Sequence, residues 1–267
     1  MARYFRPTTE HEALVALAAQ SWTILAGATD FYPALSGPAP DALDITALPG
    51  TITRDATHWR IPAAATWSGL LRTQLPPQFD ALKQAARQIG GTQIQNAGTL
   101  IGNLCNASPA ADGTPCLLAL DADIELASLR GTRRLPIASF VTGPRQTARA
   151  PDELATALRI PIRDTGSVFL KLGARKYLVI SIAMVALSLE CSDGRITRAR
   201  LAIGACGPIA TRLPEAEAAL VGHPPDPSRI TADHLAALTP IDDIRARASY
   251  RCIAALELSR RAVAALA

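Results

Sequence analysis

Apolar and polar positions follow several distinct rhythms along this chain. In "PTTEHEALVALAAQ", Leu14, Leu17 and Ala18 fall three and four positions apart, the spacing of one helix face. Thr9 precedes them as N-cap, and Glu12 is the returning acid of a capping box. "WTILAG" is a short apolar run ending at Gly27, read as a brief buried strand, and "ATDFYPALSG" leaves it to begin a helical turn. "ALDITAL" and "HWRIPAAAT" read as further strands. "FDALKQAARQIG" restores the helical period and closes on Gly90 and Gly91. "PCLLALDADIELAS" passes from helix into strand, "LRGTRRLPIASFVTG" reads as a hairpin turning at Gly131, and "PDELATALRIPI" ends in a strand.

After Pro161 the rhythm changes, and Asp164, Thr165 and Gly166 mark the best boundary. "YLVISIAMVALSLE" is a long apolar stretch and "RITRARLAIGACG" alternates. The Asp193-Gly194 pair between them is a strong hairpin signal. Two helices follow, "LPEAEAALVG" and "SYRCIAALELSRRAVAALA". In the second, Ile253, Leu256, Val263 and Leu266 are expected to form the apolar face. The expectation is an α+β chain whose second half is an antiparallel sheet with helices.

The run "GTQIQNAGTLIGNLCNASPAAD" fits neither rhythm. It is too polar for a buried strand and too rich in glycine for a good helix, so it reads as a loop. It is neither GxGxxG nor GxxxxGK[ST], and nor is "ILAGATD" at 24–30. Small residues let backbone N–H groups approach an anion closely. Two such loops could grip a pyrophosphate from both sides with neutral donors alone, or could simply be tight turns. Asn96, Asn103, Asn106, Thr99 and Ser108 crowd the longer loop with hydrogen-bonding groups that need partners.

Composition narrows the field. The chain has 267 residues, 49% hydrophobic and 19% charged, enough for two domains with real cores. The net charge of +4 is mild, and its arginines form no basic stripe with interleaved aromatics, which argues against nucleic-acid binding. Five scattered cysteines (Cys105, Cys116, Cys191, Cys206, Cys252) include no CxxC, so neither zinc nor an iron–sulfur cluster is indicated on this chain. Cys191, Cys206 and Cys252 are expected as core fillers. No apolar run reaches the ~20 residues of a membrane span. With no export signal, the expectation is a cytoplasmic protein. His11, His58, His223 and His234 fit surface or capping roles.

Several stretches together resemble one family, the FAD-binding subunits of molybdenum hydroxylases of the xanthine dehydrogenase and carbon monoxide dehydrogenase group. They are "YFRPTTEHEALVALAAQSWTILAGATD", "NAGTLIGNLCNASPAADGTPCLLALDADIEL", "FLKLGARKYLVISIAMVAL" and "DGRITRARLAIGACGPIATR". The likeness keeps its order along nearly the whole chain. It departs at Ala28, where the family's AGGTD has glycine, at Ile101 in place of the first glycine of TIGGN, and at Gln95 in place of arginine. A β-branched residue such as Ile101 resists positive φ.

The resemblance implies a two-lobed FAD-binding domain, PCMH-type and vanillyl-alcohol-oxidase-like, over residues 1–163, with lobes at about 1–50 and 51–163. An α+β C-terminal domain would follow at 164–267. It implies that Ile24, Leu25, Ala26, Gly27, Ala28, Thr29, Asp30 and Phe31 wrap the pyrophosphate through backbone N–H groups, with the Asp30 carboxylate turned away. Thr99 would donate its hydroxyl to a phosphate, Gly102 and Asn103 would close the cradle, and Asp112 would accept from a ribose hydroxyl. Lys171 would lie near the flavin ring, with Arg175, Lys176 and Tyr177 as secondary candidates, and Ile89 near the adenine. No catalytic residue is implied. The molybdopterin and [2Fe-2S] groups would sit on a large and a small partner subunit, in a heterotrimer or a dimer of heterotrimers. Two other readings stay open, a self-contained FAD-dependent oxidase, for which Cys105 is the only candidate for covalent flavin attachment, and a scaffold subunit without FAD.

Overall fold

The structure is a computed structural model that describes residues 2–267. Its first lobe holds β1 (Tyr4–Phe5), α1 (Glu10–Ala19), β2 (Thr23–Leu25), α2 (Phe31–Ala34) and β3 (Ala42–Asp44). The three strands form a parallel sheet in the order β1-β3-β2. The capping box forms: the Thr9 hydroxyl accepts from the Glu12 N–H at 3.2 Å, and the Glu12 carboxylate accepts from Thr8 N at 2.7 Å and Thr9 N at 3.3 Å. The buried face of α1 is Ala13, Leu14 and Leu17, with Ala18 exposed.

The second lobe holds β4 (Thr53–Arg54), β5 (His58–Pro62), α3 (Trp67–Arg72), α4 (Asp80–Gln88), α5 (Thr92–Ala97), α6 (Leu100–Cys105), α7 (Gly113–Ala119), β6 (Asp123–Ser128), β7 (Gly131–Pro136), α8 (Ile137–Phe140), β8 (Val141–Gly143), β9 (Gln146–Thr147) and β10 (Leu154–Pro161). Its main sheet runs β4-β5-β10-β6-β7, and every neighbouring pair is antiparallel. The run expected as a single loop contains two short helices, α5 and α6. They form despite the glycines because Thr99 caps α6, its hydroxyl accepting from Gly102 N at 2.9 Å.

The remaining chain is β11 (Gly166–Leu172), β12 (Ala183–Ser192), β13 (Arg195–Gly204), β14 (Thr211–Arg212), α9 (Pro214–Leu220) and α10 (Ala248–Ala265), with an antiparallel sheet in strand order. Asp193 and Gly194 both take positive φ, 51° and 72°, as a two-residue hairpin of twist-matching hand requires. The long apolar run of β12 follows from burial on both faces. Ala183, Val185, Leu187 and Leu189 join the core under α9 and α10, whereas Met184 and Ala186 join the core of the preceding lobes.

Two sequence expectations are corrected here. The face that α10 buries is Arg251, Ala254, Ala255, Ser259, Ala262 and Val263, and Ile253 is 66% exposed. Small residues let the helix sit close on β12, and Arg251 lies in that face because its guanidinium donates to Ile182 O at 2.6 Å, Ala205 O at 3.0 Å and Asp243 Oδ1 at 2.7 Å. Cys191 is no core filler: it lies exposed at the hairpin end, whereas Cys206 is buried. Burial pushes the Cys206 thiol up to about 12.

Polar contacts join the C-terminal sheet to the rest. The Lys171 ammonium donates to Asp112 Oδ2 at 2.6 Å and Ser181 Oγ to Asp112 Oδ1 at 2.6 Å, with Lys171 and Asp112 both buried side chains. Past the other end of α7, Asp121 receives Arg198, Arg200 at 3.1 Å and Arg212 at 2.9 Å, all from the C-terminal sheet. Breaking a buried pair by removing one partner is costlier than removing both. Lys171→Met should lower the unfolding free energy by about 3–5 kcal/mol. Adding Asp112→Asn should restore a large part of it, as urea denaturation of both variants would measure.

Candidate functional site

The two glycine-containing segments meet at one point. A Cβ on Gly27 would lie 2.1 Å from the carbonyl oxygen of Ala97 and 2.7 Å from the Cα of Gly98. Only glycine permits that approach. The second segment is held from behind: Trp67 N donates to Gly98 O at 3.1 Å, Leu100 N donates to Ala65 O at 3.2 Å, and Ser68 Oγ donates to Asn96 Oδ1 at 2.6 Å. The lobes therefore touch backbone to backbone, and a cleft of about 1270 Å³ opens beside the contact. That exceeds the ~300–1,000 Å³ usual for small-molecule sites, so it has the volume for a ligand the size of a dinucleotide.

Among the described residues, the backbone N–H groups of Gly27, Ala28, Thr29, Asp30 and Phe31 have no acceptor within the protein. Five successive free donors in a cleft wall form a concave, partly positive surface suited to an anion. Opposite them, Thr99 accepts from Gly102 N, which leaves its hydroxyl hydrogen free to donate. The Asn103 amide makes no hydrogen bond, and its Oδ1 is buried without a partner. A buried amide without a partner marks a place where a ligand or water completes the structure.

The eight residues Ile24–Phe31, together with Thr99, Gly102 and Asn103, all line this cleft. Asp112 and Lys171 do not. Both oxygens of Asp112 are taken, by Lys171 and Ser181, and the pair is buried where β11 meets the helices of the second lobe. Burial raises the pKa of Asp112 in spite of the neighbouring ammonium. Ile89 lines the cleft. Arg175, Lys176 and Tyr177 sit on an exposed loop, where Arg175 Nη2 donates to Leu178 O at 2.6 Å and the Lys176 ammonium stands 5.3 Å from the Tyr177 ring centre. Sequence reading missed Trp22, Trp67, Arg145 and Arg149, which also line the cleft. Trp22 precedes β2, Trp67 opens α3 and Arg145 lies in the turn between β8 and β9, and their local pattern gives no hint of a shared cavity.

Two of the three departures from the expected pattern, Ile101 and Ala28, exchange their importance. Ile101 needs no glycine-like backbone: it sits in the first turn of α6, 3% exposed, as an ordinary core residue. Ala28 is the strained position, with φ at 52°. The Asp30 carboxylate is turned to the cleft rim, where Asn106 Nδ2 donates to it at 2.7 Å. The thiol of Cys105 also lines the cleft, and burial pushes it up to about 11.

A dinucleotide-sized cleft between two lobes, walled by unpaired backbone donors and followed by a separate antiparallel-sheet domain, belongs to the class of proteins built to hold an elongated anionic ligand. Residues 1–163 match the family described as "FAD binding domain in molybdopterin dehydrogenase". Residues 169–266 match the "CO dehydrogenase flavoprotein C-terminal domain". The chain belongs to this family of molybdopterin dehydrogenase flavoproteins. The xanthine dehydrogenase FAD-binding subunit of Escherichia coli O157:H7 is 31% identical over 227 residues, 81% of this chain and 78% of that one. The nicotine 6-hydroxylase medium subunit of Paenarthrobacter nicotinovorans is 36% identical over 182 residues, covering 67% of this chain and 64% of that subunit. The nicotinate dehydrogenase FAD-subunit of Eubacterium barkeri is 36% identical over 167 residues, and the match spans 55% of its length. A chain of the reconstituted CO dehydrogenase from Oligotropha carboxidovorans superposes with a TM-score of 0.93 at 27% identity, covering 100% of this chain and 99% of that one. Among the described residues no helix is long and apolar enough to cross a membrane.

The left-handed conformation costs a non-glycine residue ~1–2 kcal/mol, partly offset by the extra unfolded-state entropy of glycine. Ala28→Gly should therefore stabilise the chain by about 0.5–1 kcal/mol. Gly27→Ala should destabilise it severely by prising the lobes apart. Thermal unfolding of the two variants should move in opposite directions.

Proposed function

We propose that this chain holds FAD in the cleft and acts as the flavoprotein component of a multi-subunit molybdenum hydroxylase. It would carry electrons between [2Fe-2S] clusters on a small subunit and an external acceptor, with the molybdopterin on a large one. The row of unpaired N–H groups at Gly27–Phe31 is the observation that supports this reading. These donors and the Thr99 hydroxyl would bind the diphosphate, and Gly102 would keep the α6 cap tight. A Cβ there would fall 2.8 Å from Thr99 Oγ1. Asn103 would give its unpaired amide to the ligand. When bound, FAD supplies the redox chemistry, taking up and releasing electrons one or two at a time.

The protein's own contribution is to bind, orient and shield. Trp67, Leu154 and Ile101 provide apolar wall. Asp112, Lys171 and Ser181 tie the C-terminal sheet to the FAD domain. The self-contained oxidase with a covalent flavin is disfavoured by Cys105. A thiol pushed to about 11 is almost entirely un-ionised near neutral pH, and the thiolate is the nucleophile.

The purified chain should bind one FAD per polypeptide with a flavin absorption spectrum. Acid precipitation should leave the protein colourless and the flavin in the supernatant, and Cys105→Ser should bind FAD like the wild type. A colourless protein that cannot be reconstituted with FAD would remove this reading and favour a scaffold role.

A further inference from the structure

The diphosphate of FAD is doubly negative, yet the donors described so far are all neutral. Among the described residues that line the cleft, the only permanent cations are Arg145 and Arg149, and the only carboxylate is Asp30. Arg145 lies at the rim in the turn between β8 and β9, where its guanidinium holds the Asn106 side chain. The Asn106 amide in turn holds Asp30, so the Arg145 charge is offset through that amide.

The Arg149 charge has no such offset. Its Nη1 donates to three carbonyls, Ala150 at 3.0 Å, Pro151 at 3.3 Å and Glu153 at 2.7 Å. That single nitrogen fixes the guanidinium in place. Nε and Nη2 make no hydrogen bond to the protein, and neither is buried without a partner. The nearby carboxylates are used elsewhere: Asp152 pairs with Arg130, and Glu153 pairs with Arg133 at 2.6 Å. A guanidinium anchored at one corner and open along its other edge is organised to receive an oxyanion.

Resting on the FAD reading above, we infer that Arg149 is a further binding residue of the cleft. It supplies the positive charge opposite the neutral N–H row and makes the site prefer a flavin carrying a diphosphate over one without. Equilibrium titration of the full chain, stripped of flavin, with FAD, riboflavin and ADP tests this. Arg149→Met should weaken FAD and ADP by about tenfold or more, leave riboflavin unchanged, and flatten the salt dependence. Arg149→Lys should recover part of the loss. Unchanged FAD and ADP affinity in Arg149→Met, or an equal loss for riboflavin, would overturn the assignment while leaving FAD binding intact. A wild-type chain that binds no FAD would instead defeat the functional reading on which it rests. If Arg149→Met does not fold, the wild-type salt titration decides. ADP affinity falling with salt supports a cationic contact, and affinity independent of salt overturns it.

Discussion

The architecture turns on a contact that excludes a single carbon atom. Gly27 leans on the peptide of Ala97 and Gly98 so closely that a Cβ would overlap backbone atoms. A side chain at such a contact can yield more readily than backbone, so this contact sets the spacing of the two lobes. The cleft is what remains beside the contact. Its donors point into open space because the chain at Gly27–Phe31 is committed to neither the β2 strand nor a full helix. The neighbouring α2 is only four residues long. A longer helix beginning earlier would have consumed those N–H groups internally.

A second constraint couples this cleft to the C-terminal domain. β12 is buried on both faces, so its alternate side chains belong to two cores at once. Polar contacts also cross the same junction. Ser167 Oγ accepts from Ala81 N at 2.9 Å, and Gln84 Oε1 accepts from Phe169 N at 2.7 Å. Asp121 sits at the centre of an arginine cluster, which keeps its pKa below the ordinary carboxylate range despite burial. Partly exposed ion pairs contribute little singly, but a carboxylate surrounded by several guanidiniums resists one-by-one loss. The junction is therefore rigid, and the C-terminal sheet is a fixed wall beside the FAD domain.

Local pattern made much of the fold legible in the sequence. The capping box at Thr9 and Glu12 and the Asp193-Gly194 hairpin are decided within a few residues, and both form. The eleven cleft-lining residues at 24–31, 99, 102 and 103 were legible through a resemblance in which both segments keep their order, and the structure brings all of them together. What could not be read depends on distant partners. Nothing near Asp112 in sequence indicates that Lys171, 59 positions away, will occupy its carboxylate. Nothing near Ile253 shows that α10 will turn its small residues inward, because hydrophobicity alone cannot weigh a bulky face against close approach to a sheet. The short helices α5 and α6 were hidden by their glycines, which serve caps and contacts and do not break the segment.

The rim explains how an anion site tolerates an aspartate. A bare carboxylate at Asp30 would repel a diphosphate across a partly desolvated cleft, where charges interact more strongly than in water. Asn106 binds that carboxylate and Arg145 binds Asn106, so the negative charge is drawn outward and opposed by a cation. Arg145 accepts a left-handed backbone, φ 61°, to stand there, and its own N–H is satisfied by Ala107 O at 2.8 Å. Ala107 is itself left-handed at φ 46°, so strain gathers on both sides of this one contact. Strain held by hydrogen bonds at the edge of a ligand cleft fixes where the hairpin lies. The same hairpin leads into Arg149 and the start of β10, so the position of the rim also sets the position of the charge within.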